Sequence, residues 1–310
     1  MNNHQKGEPD ISRYLFEEIR ACEMCGDHSN GHKVLGQRLN CSQGFSPKRK
    51  SGISVSVIQC RNCRLIYSSP MPVPFDIQDH YGITPEAYWR PEYFKWNENY
   101  FREEINAAKK LLPFQQGMKA LDVGAGLGKC MISLDKAGFD TYGFEPSIPF
   151  YERAISQMGI DKERLKQGMI ETVDYPAGHF DFITFGATFE HLYHPAVCLE
   201  KALRWLKPGG IIHIEVPSSK YFIARLYNFY YWLRGTNYVT NLSPMHPPFH
   251  MYEFRIGSFR ELGRKLGYTI EKFDNYVCEI MHIPRVFHPL LRKYMQWTKS
   301  GMQLVVFLRK

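Results

Sequence analysis

Long hydrophobic runs are missing from this 310-residue sequence. The longest, such as Gly209 to Val216, are of strand length and include a His and a Glu. A membrane-spanning helix needs ~20 apolar residues, so none is expected. The opening residues, MNNHQKGEPDISRY, hold no apolar signal core. The expectation is therefore an unexported chain with a cytoplasmic location. No internal repeat is visible. Acidic residues are the minority: 31 Asp and Glu against 39 Lys and Arg, a net charge of +8. That surplus admits nucleic acid, anionic lipid or phosphorylated ligands as partners. It is scattered, however, and the one dense basic run, Lys48-Arg49-Lys50, is short enough to be a solvated loop. What is present in ordinary amounts excludes wholesale disorder: 44% hydrophobic and 23% charged residues.

Eight cysteines lie at 22, 25, 41, 60, 63, 130, 198 and 278. In an unexported chain disulfides are not expected. Four of the eight form two Cys-x-x-Cys pairs, Cys22/Cys25 and Cys60/Cys63. Each pair can present two thiolates from one turn, and two pairs suit tetrahedral Zn²⁺. Gly26 permits a tight knuckle after the first pair. Ser54–Gln59 reads as a strand leading into the second, as in a zinc ribbon. Four thiolates leave no open position, so the expected zinc is structural. Cys41 is spare, and His28 or His32 are weaker ligand candidates.

Three sections are read along the chain: 1–75 with the cysteine pairs, 76–115 as an aromatic-rich helical connector, and 116–310. Ser68-Ser69-Pro70-Met71-Pro72-Val73-Pro74 closes the first; its three prolines cannot continue a helix or an inner strand. Glu98 to Leu112 fits an amphipathic helix with Phe101, Ile105, Ala108 and Leu112 on one face. From residue 117 strands and helices alternate. Strands are read at 118–123, 140–145, 180–185 and 210–216, and helices at 127–137, 147–158 and 196–206. Such alternation predicts an α/β fold, a Rossmann-like parallel sheet with helices on both faces. Pro208-Gly209-Gly210 is read as the end of a helix and a turn into a strand. Further on come a helix at 256–265, strands near 268–273 and 302–308, and a helix between them at 284–297.

The main motif is Asp122-Val123-Gly124-Ala125-Gly126-Leu127-Gly128, between a strand and a helix. Glycines there let the backbone approach a ligand and adopt positive φ. The helix N-terminus adds free N–H donors. The spacing differs from the Gly-x-Gly-x-x-Gly dinucleotide loop. Glu145 ends the next strand, where a carboxylate can accept both hydroxyls of a ribose.

With Phe144-Glu145-Pro146-Ser147, Phe180 to Phe185, Glu190-His191-Leu192 and Leu206 to Ile211, this loop resembles the class I S-adenosylmethionine-dependent methyltransferases. The resemblance covers about residues 76–310. It implies a seven-stranded sheet whose last strand, near 302–308, is antiparallel. It implies S-adenosyl-L-methionine as cofactor and methyl transfer as activity. Asp122, Gly124, Gly126 and Gly128 would then underlie the methionine part, and Glu145 with Pro146 would hold the ribose. Met169 and Ile170 would flank the adenine, and Phe185 to Thr188 would line the floor near the sulfur. Many relatives place an acid beside the adenine amine where this chain reads Gly168-Met169-Ile170-Glu171. The whole arrangement also resembles a bacterial type with an N-terminal zinc ribbon, encoded among surface-glycan and secondary-metabolite genes. That implies a small-molecule acceptor. Tyr81 and Tyr88-Trp89, in the connector 76–115, would close over the cofactor, with ordinary packing of a connector helix as the alternative.

On the acceptor side the candidates are histidines after strand ends: His191, His246 and His250, with His194, Glu190 and Glu215 behind them. Histidine titrates near neutrality, so it suits proton transfer or positioning. Residues 218–255 form an insertion, and Tyr221–Arg234 within it packs seven aromatics into fourteen residues. A lid or acceptor wall is the first reading; a core helix, a dimer contact and a membrane-surface contact compete with it. The leading function is methyl transfer to a sugar, nucleotide-sugar or natural-product intermediate. The runner-up is a zinc-containing RNA methyltransferase, which the +8 charge suits, although the Asn-Pro-Pro-Tyr-like loop of amino-methylating enzymes is absent. A non-catalytic zinc-ribbon adaptor is the third.

Overall fold

The structure, a computed structural model, describes residues 14–39, 54–82, 94–278, 280 and 283–310. Cys41, Lys48-Arg49-Lys50 and Tyr88-Trp89 lie outside the described residues. A seven-stranded sheet carries the larger part of the fold. Its strands are β6 (Lys119–Val123), β7 (Asp140–Glu145), β8 (Leu165–Gln167), β9 (Phe180–Gly186), β10 (Leu206–Pro217), β12 (Thr269–Tyr276) and β13 (Gln303–Arg309). They lie in the order β12-β13-β10-β9-β6-β7-β8. The pairs β6/β7, β7/β8, β6/β9 and β9/β10 are parallel. β13 runs antiparallel between β10 and β12. The expected antiparallel last strand is therefore present.

Residue alternation along the strands sends side chains to two different cores. Ala120, Phe182, Val305 and Phe307 enter one core with Ile105 and Ala108 of α2 (Arg102–Leu111) and Leu134 of α3 (Lys129–Lys136). Their neighbours Leu121, Ile183, Val306 and Leu308 enter the other. There they meet Leu199 and Ala202 of α5 (Pro195–Trp205) and Phe259 and Leu262 of α7 (Ile256–Leu266). A sheet covered on both faces needs apolar side chains in both directions, which accounts for the almost wholly buried β6 and β9. α4 (Ile148–Ser156) begins at Ser147, whose hydroxyl accepts from the Phe150 N–H.

Two local readings change. The helix after the glycine loop starts at Lys129, because Gly126 and Gly128 hold left-handed φ of 55° and 74°. Pro208-Gly209-Gly210 lies inside β10 as an irregularity: pairing with β9 holds at Leu206, breaks, and resumes at Ile211. The proline run forms an edge strand, β5 (Met71–Pro74), paired among the described residues only with β1 (Tyr14–Glu17), in keeping with its exclusion from helices and inner strands. A two-stranded ribbon leaves every strand an outer edge, where missing N–H groups cost no ladder.

The N-terminal segment builds a second sheet, in the order β11-β4-β3-β2. Its strands are β2 (Lys33–Leu39), β3 (Ser54–Gln59), β4 (Ile66–Ser69) and β11 (Tyr252–Glu253). β11 comes from the 218–255 insertion, so that insertion completes the sheet begun some two hundred residues earlier. Cys22, Met24, Cys60, Leu65 and Tyr67 belong to the same core as Leu121, Ile214 and Phe259. Gly257 at the start of α7 allows close approach: a Cβ there would lie 3.1 Å from the Cys63 carbonyl. The Ser258 hydroxyl donates to that carbonyl at 3.3 Å.

Candidate active site

A cavity of about 910 Å³ opens at the carboxyl ends of the central strands. The chain runs from β6 outward to β7 and β8, then returns to β9 on the other side of β6, a switch in direction that leaves a crevice for ligands. Val123 and Gly124 after β6, Glu145 to Ser147 after β7, Met169 to Glu171 after β8 and Gly186 to Thr188 after β9 form its walls.

The glycine loop folds onto the end of β7. The Gly124 and Ala125 N–H groups donate to the Phe144 carbonyl at 3.0 and 2.9 Å. The Gly126 N–H donates to Glu145 Oε2 at 2.7 Å. Gly124 has a φ of 69°, and a Cβ there would lie 2.6 Å from Thr188 Cγ2. The loop thus requires glycine at 124 for both conformation and space. Gly128 has a different part: it does not line the cavity, but a Cβ on it would strike Ile160 at 2.4 Å.

Seven carboxyl residues line the cavity: Glu17, Asp76, Glu104, Asp122, Glu145, Glu171 and Glu215. No Lys or Arg is among the described lining residues. Glu145 Oε1 accepts from the Ser147 N–H at 2.8 Å, so each of its oxygens uses one lone pair on the backbone and keeps one. Burial pushes this carboxyl up to about 7 against the pull of those two donors. Burial, and then the nearby Glu145, push Asp122 up to about 8. Asp122 Oδ2 is buried with no hydrogen-bond partner among the described residues. Burial, and then Glu104, push Glu215 up to about 7. Ala187, also in the wall, has a φ of 52° without being glycine, a strained residue between β9 and the next turn.

These features fit S-adenosyl-L-methionine. Glu145 retains acceptors for two ribose hydroxyls, the Gly124 surface lacks a Cβ, and the described lining residues set no lysine or arginine against a cation. Asp122, Gly124, Gly126, Glu145, Pro146, Met169, Ile170, Thr188 and Tyr81 all line the cavity. Phe185 does not: it is fully buried, its ring against Phe189 at 5.4 Å, because period-two alternation turns it into the core under the floor.

Of the three candidate catalytic histidines only His191 lines the cavity. Its Nδ1 donates to the Phe249 carbonyl at 3.1 Å, and its Nε2 faces Glu190 Oε1 at 3.9 Å. Burial lowers His191 to about 4, opposed by the Phe249 and Ala187 carbonyls. His250 stands behind it, the two rings 5.1 Å apart, and Glu190 lies between them at 3.9 and 3.7 Å. His246 is elsewhere, buried against the Arg38 guanidinium at 3.2 Å. Both came from a Pro-rich loop whose path the sequence does not fix. His213 and His80, two fully buried histidines, serve the core: His213 bonds Thr184 at 2.8 Å, and His80 stacks on Phe249 at 4.2 Å. His194 lines the rim at Glu23, 3.4 Å away.

Sequence reasoning missed part of the wall. Glu17, Val73 to Ile77, Tyr100, Phe101, Glu104 and Cys130 line it. They come from β1, β5 and the segment after it, α2 with its approach, and α3; Asp76, Ile77, Tyr100, Phe101 and Glu104 fall in the connector 76–115, but no short motif marks them individually. The reverse correction concerns the insertion. No residue from 218 to 255 lines the cavity, and the aromatic helix α6 (Phe222–Leu233) is not a lid or acceptor wall.

The four cysteines converge. Cys22 and Cys63 sulfurs are 3.5 Å apart, as are those of Cys25 and Cys60, and all four lie within 4.8 Å of one another. Tetrahedral ligands at a Zn–S distance of about 2.3 Å sit about 3.8 Å apart, so the set could hold one such ion. The two turns are alike: Gly26 N–H returns to the Cys22 carbonyl and Arg64 N–H to the Cys60 carbonyl. Arg64 takes the left-handed position, φ 67°, that Gly26 fills in the first turn. His32 instead bonds the Tyr67 hydroxyl at 2.7 Å.

The sheet order, its single antiparallel member, the glycine loop and the strand-end acid define a class I methyltransferase fold. Residues 93–272 match the family model described as a methyltransferase domain, more than half of the chain, and the chain belongs to that family. A Dictyostelium discoideum protein named as a methyltransferase is 28% identical over 149 residues, 47% of this chain and 52% of its own. A demethylmenaquinone methyltransferase of Geobacillus sp. (strain WCH70) is 25% identical over 163 residues, 50% of this chain and 66% of its own. The chain thus spans about half to two thirds of these relatives. Among solved structures, an S-adenosylmethionine-dependent methyltransferase from Mesorhizobium loti is similar over 66% of this chain and 96% of its own, with a TM-score of 0.47 and 16% identity.

Proposed function

We propose that this protein transfers a methyl group from S-adenosyl-L-methionine to a small-molecule acceptor whose reacting end carries no phosphate. The observation that carries this reading is the cavity itself: a glycine loop and Glu145 in a wall with seven carboxyl residues and no lysine or arginine among the described residues. Bound S-adenosyl-L-methionine supplies an electrophilic methyl on a cationic sulfonium. The wall sets no lysine or arginine against that sulfonium, and among the described residues it gives a phosphorylated acceptor no cationic partner.

Glu145 binds the ribose with its remaining lone pairs, and Asp122, Gly124 and Gly126 shape the surface beneath the methionine portion. Met169 and Ile170 offer apolar contact to a purine. Tyr81 and Phe101 help to enclose the space and exclude water. The cavity holds donor and acceptor together, and in-line displacement gains much of its rate from that positioning. His191, which lines the cavity and stays neutral at pH 7, positions the acceptor rather than taking its proton. The four cysteines hold a structural zinc, which fixes the N-terminal sheet beside the cavity. An RNA acceptor fits the net charge of +8 but meets an acidic wall.

The test is transfer of a labelled methyl group from S-adenosyl-L-methionine into source-cell extract, separated into small-molecule and RNA fractions. Label is expected among small molecules. RNase-sensitive label would overturn the acceptor class, and no label in either fraction would count against the activity.

A further inference from the structure

We propose that the aromatic helix α6 and the helix α8 (His288–Thr298) form a docking face for an anionic lipid bilayer. Neither helix contributes to the cavity wall, so this inference stands apart from the reading of the reaction. In α6, Phe222, Leu226, Phe229 and Leu233 follow helical spacing along one side. In α8, Leu290, Tyr294 and Trp297 do the same. The two strips meet where the Phe222 and Tyr294 rings pack at 4.6 Å. Beyond that contact the strips are uncovered: Phe229 is 56% exposed, Leu233 62%, Leu290 70% and Trp297 82%. An apolar surface of this extent and continuity marks an interaction site.

Charge selects the occupant. No Asp or Glu occurs between Glu215 and Glu253, nor after Glu279. Arg225 and Arg234 flank the strip on α6, Lys293 flanks it on α8, and Arg285 stands in the turn before α8, all exposed. Among the described residues none of these four pairs with a carboxylate. A second copy of this face would set like cations against each other. A nucleic acid would leave Leu233, Leu290 and Trp297 in water. A bilayer interface satisfies both components: aromatic and aliphatic side chains enter at headgroup depth while Arg and Lys meet anionic headgroups. The binding is in the plane of the interface, since no described helix is long and apolar enough to cross a membrane.

The test is co-sedimentation of the full chain with vesicles of phosphatidylglycerol and phosphatidylcholine in equal parts, and with pure phosphatidylcholine. Binding is expected to the mixed vesicles, weaker by about tenfold or more on pure phosphatidylcholine and as salt rises. Leu290→Glu with Trp297→Glu should abolish it while the thermal melt and S-adenosyl-L-methionine affinity stay unchanged. The exposed pair Arg285→Glu and Lys293→Glu, which disturbs no packing, should weaken it on the mixed vesicles alone. No binding by the wild type at low salt overturns the proposal. So does equal binding by the variants, or a dimer that the variants break and that does not bind vesicles.

Discussion

Asp122 and Glu145 hold their carboxyls well above the usual range because burial strips water from both, and at Asp122 the second carboxyl adds repulsion. At pH 6 an unfolded chain has released these protons, whereas the folded chain keeps them. The folded state is therefore favoured at low pH, and this contribution is lost as pH rises from about 4 through about 8. Asp122→Asn removes the titrating group and keeps the shape. Thermal melts of the ligand-free protein should show the variant gaining on the wild type by about 5 °C between pH 5 and pH 8. A gap that stays constant with pH would mean that Asp122 is ionised throughout. The same two acids were legible in the sequence because both belong to short motifs at strand ends. Glu104 and Glu17 were not, since only the folding of distant segments brings them to the wall. His246 was misplaced for a related reason: a loop of Met245-His246-Pro247-Pro248 says that a histidine is near a turn, but not which core its ring enters.

At the scale of elements, the alternation of strand and helix was legible because parallel strands buried on both faces read as continuous apolar runs. β7 and β3 have the bounds their patterns predict. Errors gather where pairing decides. β11 is two residues long and exists only through β4, from a distant part of the chain. The run 208–210 looks like a helix stop followed by a turn, yet β10 continues on both sides of it. The paired Cys-x-x-Cys turns were legible from spacing alone, although Arg64 performs in the second turn what glycine performs in the first. If they hold a structural metal, purified protein carries about one zinc per chain by elemental analysis, and Cys60→Ser loses it together with part of its thermal stability. Metal-free native protein with the same melting point as the zinc-loaded form would refute that assignment.

At the scale of the whole molecule, charge is partitioned. The chain is basic overall, but its cavity is lined with acids and its α6–α8 face is free of them. The N-terminal sheet and the seven-stranded sheet share one core, so the segment that bears the cysteines also supplies Glu17 and residues 73–77 to the cavity wall. The central claim is that this shared cavity binds S-adenosyl-L-methionine through Glu145. Calorimetric titration of the full chain tests it most directly. The account predicts saturable one-site binding that Glu145→Ala weakens by about 1–3 kcal/mol, the cost of leaving ribose hydroxyls unpaired. Equal affinity in wild type and variant, or no binding by the wild type, would contradict it.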